Sequence, residues 1–300
     1  MSALLRIARA GPLTTVQDGG RAGLLAHGIA ASGAMDAGAH QRAGRWAGAV
    51  EAAGIEFTQA GLDLVVVEGR GRLGWDGGAF IPRVNGRELD WPGGAALEAG
   101  DRLSIVPGAA GNYGYLRFGG ALDLPKVLGS RATSTRARLG GLEGRALVAG
   151  DDLALVGDGG APQIPEPAGN LDGPIRFVWG IHAEYFPTAV RQRFVEEAFV
   201  VTPMMDRMGV RLADAGSVFA GASILSLVSE PILPGDVQIL GDGTPIVLMR
   251  DHQPTGGYPR IATIVSVDLD RFAQMRPGSK LAFEPVSVEH THSLLRSGPR

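Results

Sequence analysis

The chain has 300 residues, 45% of them hydrophobic, enough for one large or two ordinary domains with a substantial core. A net charge of −3 gives no electrostatic basis for binding nucleic acid or an anionic membrane. With no cysteine the chain can form no disulfide, thiolate metal site or cysteine nucleophile, and no apolar run reaches the ~18 residues that a transmembrane helix needs. The first ten residues lack the apolar core and cleavage site of a signal peptide, so a cytoplasmic protein is expected. The 46 glycines and 19 prolines in so apolar a chain predict many short strands and tight turns.

Residues 11–36 are dense in turn formers and carry Gln17, Asp18, Arg21, His27, Ser32 and Asp36. Asp36 is placed to cap a helix on whose face Ala39, Ala43, Trp46 and Ala47 fall. A strand is expected at 62–67, a turn at 75–78, a hairpin about Asn85-Gly86 within 79–98, and strands at 103–106 and 113–118. The run Ser130-Arg131-Ala132-Thr133-Ser134-Thr135-Arg136 reads either as an anion-binding loop or, more commonly for such composition, as a solvated one. A turn-to-strand motif recurs at Gly100-Asp101-Arg102-Leu103, Gly150-Asp151-Asp152-Leu153 and Gly278-Ser279-Lys280-Leu281. It reads as a repeated entry into barrel strands.

Prolines and glycines dominate 157–174, the best linker candidate. The expected division is an N-terminal β-rich subdomain over 1–165 and a C-terminal β-barrel subdomain over 166–300. Beyond the linker, strands are expected at 175–179, 224–229, 237–240, 245–249, 261–265 and 280–284, with helices at 187–198 and 268–275. The whole is a mainly β protein with a few short helices.

No phosphate-loop, dinucleotide, nucleophile-elbow, zinc-protease or EF-hand motif is present. His290 and His292 could chelate a metal from a strand, but a solvated tail accounts for them more simply, and no metal is expected. The richest stretch is 249–265, where Asp251, His252, Gln253, Thr255, Tyr258 and Arg260 crowd around Gly256-Gly257 between two apolar strands. A hairpin whose polar groups satisfy one another stands equally beside the reading as a site. His252 near a carboxylate suits proton transfer at neutral pH. Arg207, Arg211 and Arg260 could fork onto a carboxylate or phosphate. Asp206-Arg207 reads equally well as a buried ion pair.

Five segments occur in one order: Gly11 to Gly23, Ser32 to Asp36, Val127 to Thr133, Asp206 to Leu212 and Asp251 to Ala262. In these the chain resembles the biotin-dependent carboxyltransferase-like family, which holds the C subunit of bacterial 5-oxoprolinase, KipA and the carboxyltransferase region of urea carboxylase. The resemblance spans about residues 6–288. It implies a cyclophilin-like β-barrel architecture and a small amide substrate. It implies two partners, a KipI-like B subunit and an A subunit of the LamB/YcsF type. The implied activity is that of a 5-oxoprolinase component, opening the lactam 5-oxoproline to glutamate with ATP, which binds in the complex, on this chain or on its partner. The alternatives are a KipA-like regulator that antagonises a kinase inhibitor and a carboxyltransferase acting on a urea-like amide; no biotin is attached to this chain.

In that frame Asp206 and His252 are expected at the chemistry. Arg207, Arg260, Tyr258, Gln253, Gly256 and Gly257 are expected to bind substrate. Asp18, Arg21, Ser32 and Asp36 would line the cleft from the N-terminal half. The chain departs from the usual pattern at Trp75, an apparent insertion at a turn that would narrow a pocket.

Overall fold

The computed structural model describes residues 2–169, 172–222, 224 and 226–297. The chain forms two compact units: residues up to Ala22 with Ser32–Gly169, and Gly23–Ala31 with the chain beyond Gly169. The division thus falls four residues after the expected boundary, and a short N-terminal stretch counts with the second unit.

The first unit is built on one long strand, Leu62–Gly77. Its first half pairs with Ala3–Ala10 and Arg102–Pro107, its second with Gly93–Glu98 and Tyr113–Phe118. Leu62, Leu64 and Val66 point inward while Asp63, Val65 and Val67 point away, the period-2 alternation of a half-buried strand. They pack with Leu5, Ile7, Ile55, Phe57, Leu103, Ile105 and Leu153 into one core. Helix α1, Ala37–Ala47, lies against this long strand through its small face of Ala39, Ala43 and Ala47. Gly74 makes the approach possible: a Cβ there would collide with Ala43 O and Ala47 N.

Three expectations fail here. Residues 75–77 are strand, and Trp75 is fully buried with Nε1 donating to Asp90 O at 2.9 Å, so it narrows no pocket. Gly77 is expected in a turn, but like Gly69 and Gly74 it allows close backbone approach within the strand. Ser130, Ala132, Thr133 and Ser134 are buried, so of the run 130–136 only Thr135 and Arg136 are solvated. Trp46 is only half-buried. The hairpin about Asn85-Gly86 is present, with both residues at positive φ, as a tight primed turn requires. The turn-to-strand motif also holds, with Gly100, Gly150 and Gly278 at positive φ before Arg102–Pro107, Asp152–Val156 and Lys280–Leu281.

The second unit is an eight-stranded sheet. Its order is Lys280–Leu281, Phe199–Met205, Gly209–Ala213, Pro245–Leu248, Asp236–Ile239, Arg260–Ile264, Ile175–Trp179 and Phe283–Pro285. The first and last members are separated in the chain by Ala282 alone. One half of this segment pairs with Phe199–Met205 and the other with Ile175–Trp179, so the sheet closes on itself as a barrel. Phe194, from helix α2 at Thr188–Glu196, stacks on Phe283 at 4.7 Å and meets Phe177, Phe199 and Phe219. Helices α3, Ser266–Ala273, and α4, Val288–Ser297, complete the unit, with a two-stranded sheet of Glu230–Pro231 and Thr255–Gly256.

The fold is therefore mainly β with barrel architecture, and four α-helices occur among the described residues. The strand expected at 224–229 is absent from its described residues; Leu225 lies outside them, and pairing begins only at Glu230. His290 and His292 lie on α4, not a strand, where residues two apart do not face one another. Among the described residues no helix is long and apolar enough to cross a membrane.

Candidate functional site

The residues singled out from sequence fall into two groups, one in each unit. In the first unit the Asp18 carboxylate accepts from Gly20 N at 2.8 Å, Ser130 Oγ at 2.6 Å and Arg131 N at 2.6 Å. Arg21 is buried and donates to the carbonyls of Val127 and Ala132. Both hold the 127–133 loop in place. Ser32 is buried at φ 55°, and its hydroxyl has no hydrogen-bond partner among the described residues. Asp36 caps α1, its Oδ1 accepting from Ala39 N at 2.8 Å.

The entry to α1 is fixed from below. Asp36 N donates to Tyr115 Oη at 2.7 Å; Tyr115 donates to Glu56 Oε2 at 2.9 Å, which also accepts from Met35 N at 2.7 Å. Burial first, then the nearby Glu56 and Asp36 charges, push the Tyr115 phenol well above its ordinary range, so it stays a donor. On the buried side of α1, His40 Nδ1 lies 3.2 Å from Arg117 Nη1. Burial and then Arg117 hold this imidazole well below 6.5, and burial pushes the Arg117 guanidinium down to about 10.

In the second unit Asp206 is exposed and closes a hairpin turn, its Oδ1 accepting from Met208 N at 2.7 Å and Gly209 N at 3.1 Å. Arg207 grips Asp251, and Asp251 N returns a bond to Arg207 O at 2.7 Å, which welds the 206–209 turn to the 249–252 turn. Asp251 comes from a neighbouring strand end. His252 is buried next to this pair in sequence. Its Nδ1 faces the Gln253 carbonyl at 2.6 Å and so carries the proton, leaving Nε2 as a lone pair with no partner among the described residues. Burial, against the opposing Gln253 carbonyl and the Asp236 and Asp251 charges, keeps the ring below 6.5.

Gly256 and Gly257 permit a close crossing. A Cβ at Gly256 would lie 2.7 Å from Gln238 Nε2, and one at Gly257 2.8 Å from Leu227 O. Gln253 is half-buried and Tyr258 is 38% exposed. Arg260 is committed to carboxylates: Nη2 donates to Glu230 Oε2 at 2.8 Å, and Nη1 lies 3.4 Å from Asp236 Oδ2.

This last cluster contains groups that sequence reasoning passed over. Glu230 and Asp236 meet Arg260, and His182 accepts the Arg260 N–H on Nδ1 at 3.2 Å. Their positions, spread over 182–260, carry no motif; only the antiparallel pairing of Ile175–Trp179 with Arg260–Ile264 brings His182 alongside. Taken together, the second unit offers a neutral imidazole with a free lone pair, a solvent-reaching carboxylate on each of two segments, and two guanidinium groups fixed by carboxylates. Such groups can accept an N–H or a proton and hold a small polar molecule.

Residues 27–285 match the family described as carboxyltransferase domain, subdomain A and B. The chain is 35% identical over 296 residues to the C subunit of 5-oxoprolinase from Escherichia coli K12, covering 95% of this chain and 92% of that protein. Identity to the C subunit of 5-oxoprolinase from Haemophilus influenzae is 32% over 289 residues, 94% of this chain and 91% of that one. The crystal structure of Kluyveromyces lactis urea carboxylase superposes with a TM-score of 0.88 at 25% identity, over 98% of this chain but only 28% of that one. The chain therefore belongs to the family of the carboxyltransferase domain, subdomains A and B.

Proposed function

We propose that this chain is the C subunit of an ATP-dependent 5-oxoprolinase, a component of an enzyme complex that opens 5-oxoproline to glutamate. The observation that carries this reading is its 35% identity to the E. coli protein over nearly the full length of both chains. Subunits of B and A type are its partners, and ATP is a co-substrate of the complex that we assign to no residue here.

The local chemistry suits a cyclic amide. Ring opening needs donors for the carbonyl oxygen, an acceptor for the N–H and a group that moves a proton. His252 Nε2 is unprotonated and available, and Asp206 presents a carboxylate at the surface of the adjoining turn. Arg207 and Arg260, both bound to carboxylates, act as positioning groups for the 249–260 segment, and Tyr258 offers an exposed ring. In the first unit, Asp18, Arg21, Ser32 and Asp36 set the 127–133 loop and the α1 entry.

The test is reconstitution with the neighbour-encoded partners and assay of ATP-dependent glutamate release. Omitting this chain should abolish release, and His252→Gln should lower it by at least ~10²-fold, the scale of one general acid–base group. A complete complex that releases no glutamate sinks the reading. A second reading, carboxyl transfer to a urea-like amide, is favoured by the family match and the superposition on urea carboxylase. It predicts turnover of urea only when a biotinylated carrier is supplied.

A further inference from the structure

Glu230 sits in the two-residue strand that pairs with Thr255–Gly256, beside Gly257 and Tyr258. Its side chain is 42% exposed, yet one of its oxygens is held by a guanidinium that is itself almost buried. Oε2 accepts from Arg260 Nη2 at 2.8 Å and lies 3.4 Å from His182 Nε2. His182 Nδ1 is occupied by the Arg260 backbone N–H, so its proton is on Nε2, on the side of the carboxylate but too far for a hydrogen bond. Arg260 is anchored from behind by Pro231 O at 3.0 Å and by the buried Asp236. Asp236 is in turn fixed by Thr263 Oγ1 at 2.6 Å and Leu233 N at 2.9 Å.

An ordinary surface ion pair orders two mobile side chains to little effect. Here a guanidinium only 11% exposed donates to a single oxygen of a partly exposed acid, with a 9% exposed imidazole packed beside it. Oε1 has no partner among the described residues. The result is a carboxylate whose orientation is set from within and whose second oxygen is left as an acceptor on the glycine-rich 253–260 segment.

We infer that Glu230 Oε1 accepts the ring N–H of a small cyclic amide, with Arg260 as the positioning residue that holds the other oxygen and His182 packed beside it. The ligand class rests on the 5-oxoprolinase reading. A site built to hydrogen-bond a ligand N–H discriminates strongly against an analogue that lacks it, because its buried-side partners are left committed to an acceptor with nothing to accept.

Glu230→Gln tests this sharply. Arg260 can only donate, so the glutamine must turn its carbonyl oxygen toward it and its NH2 toward the ligand. The acceptor becomes a donor with little change in shape. In the reconstituted three-component complex, the KM for 5-oxoproline is measured beside the inhibition constant of the lactone analogue, in which ring oxygen replaces N–H. The expected result is a rise in KM of at least tenfold while lactone inhibition is unchanged or stronger, with the melting temperature of the isolated chain kept. A KM-to-inhibition ratio that stays put, or parallel weakening of both ligands, overturns the inference while the function stands. A wild-type complex that does not turn over 5-oxoproline overturns both.

Discussion

Arg207 holds both oxygens of Asp251, with Nε 2.8 Å from Oδ2 and Nη2 3.1 Å from Oδ1. The two side chains are 5% and 9% exposed. Removing one member of such a pair strands the other charge away from water, which costs more than the pair itself contributes. Asp251→Asn or Arg207→Met should lower unfolding free energy by roughly 3–5 kcal/mol. The double variant Arg207→Met/Asp251→Leu should cost less than the two single changes added together. Urea denaturation of the four proteins in a mutant cycle measures both quantities.

A pH dependence follows from three imidazoles. His40, His182 and His252 are all held below 6.5, with burial as the leading cause in each. In the unfolded chain they take up protons as pH falls through about 6.5, and in the folded chain they do not until lower pH. The unfolded state therefore binds more protons in this window, and stability falls as pH drops from about 6.5 toward 5, above the main carboxylate range. Urea midpoints at successive pH values should show this fall. His40→Gln should flatten it, since His40 is the most strongly displaced of the three; an unchanged slope would remove His40 from the account.

Gly74 lets α1 lie directly on the long strand. Gly74→Ala puts a methyl group against the backbone of Ala43 and Ala47, which cannot rotate out of the way as a side chain could. The expected loss is about 1–3 kcal/mol, the range of overpacking. A thermal melt reads it, with Gly100→Ala as a contrast: its Cβ would meet nothing within 4 Å, so any loss there reflects only its positive φ.

Tyr115 links the α1 cap to Glu56. Tyr115→Phe leaves Asp36 N without its acceptor and deprives Glu56 of a donor, all in the interior. A stability loss of about 1–3 kcal/mol is expected, the cost of orphaning a buried polar group. Hydrogen exchange at residues 36–39 should rise more than at the barrel strands of the second unit.

What can be read from sequence, and what cannot, follows from range. The Leu62, Leu64, Val66 alternation and the Asn85-Gly86 turn are local signals, and both elements are where the pattern puts them. The continuation of that strand through Gly69, Gly74 and Trp75 is hidden because glycine marks both a turn and a close approach. Adjacency sets Arg207 beside Asp206, and nothing local reveals that Asp251, 44 positions away, is gripped by Arg207. Glu230 and His182 are plainer still: each is an ordinary polar residue until strand pairing sets both against Arg260.

The barrel's seam has a consequence of its own. Residues 280–285 zip together two margins of the sheet, Phe199–Met205 and Ile175–Trp179. Were this stretch peeled back, both margins would present unpaired amides and carbonyls in a row, templates for another chain. Misassembly of this protein should thus begin from its C-terminal stitching, whose two halves meet at Ala282.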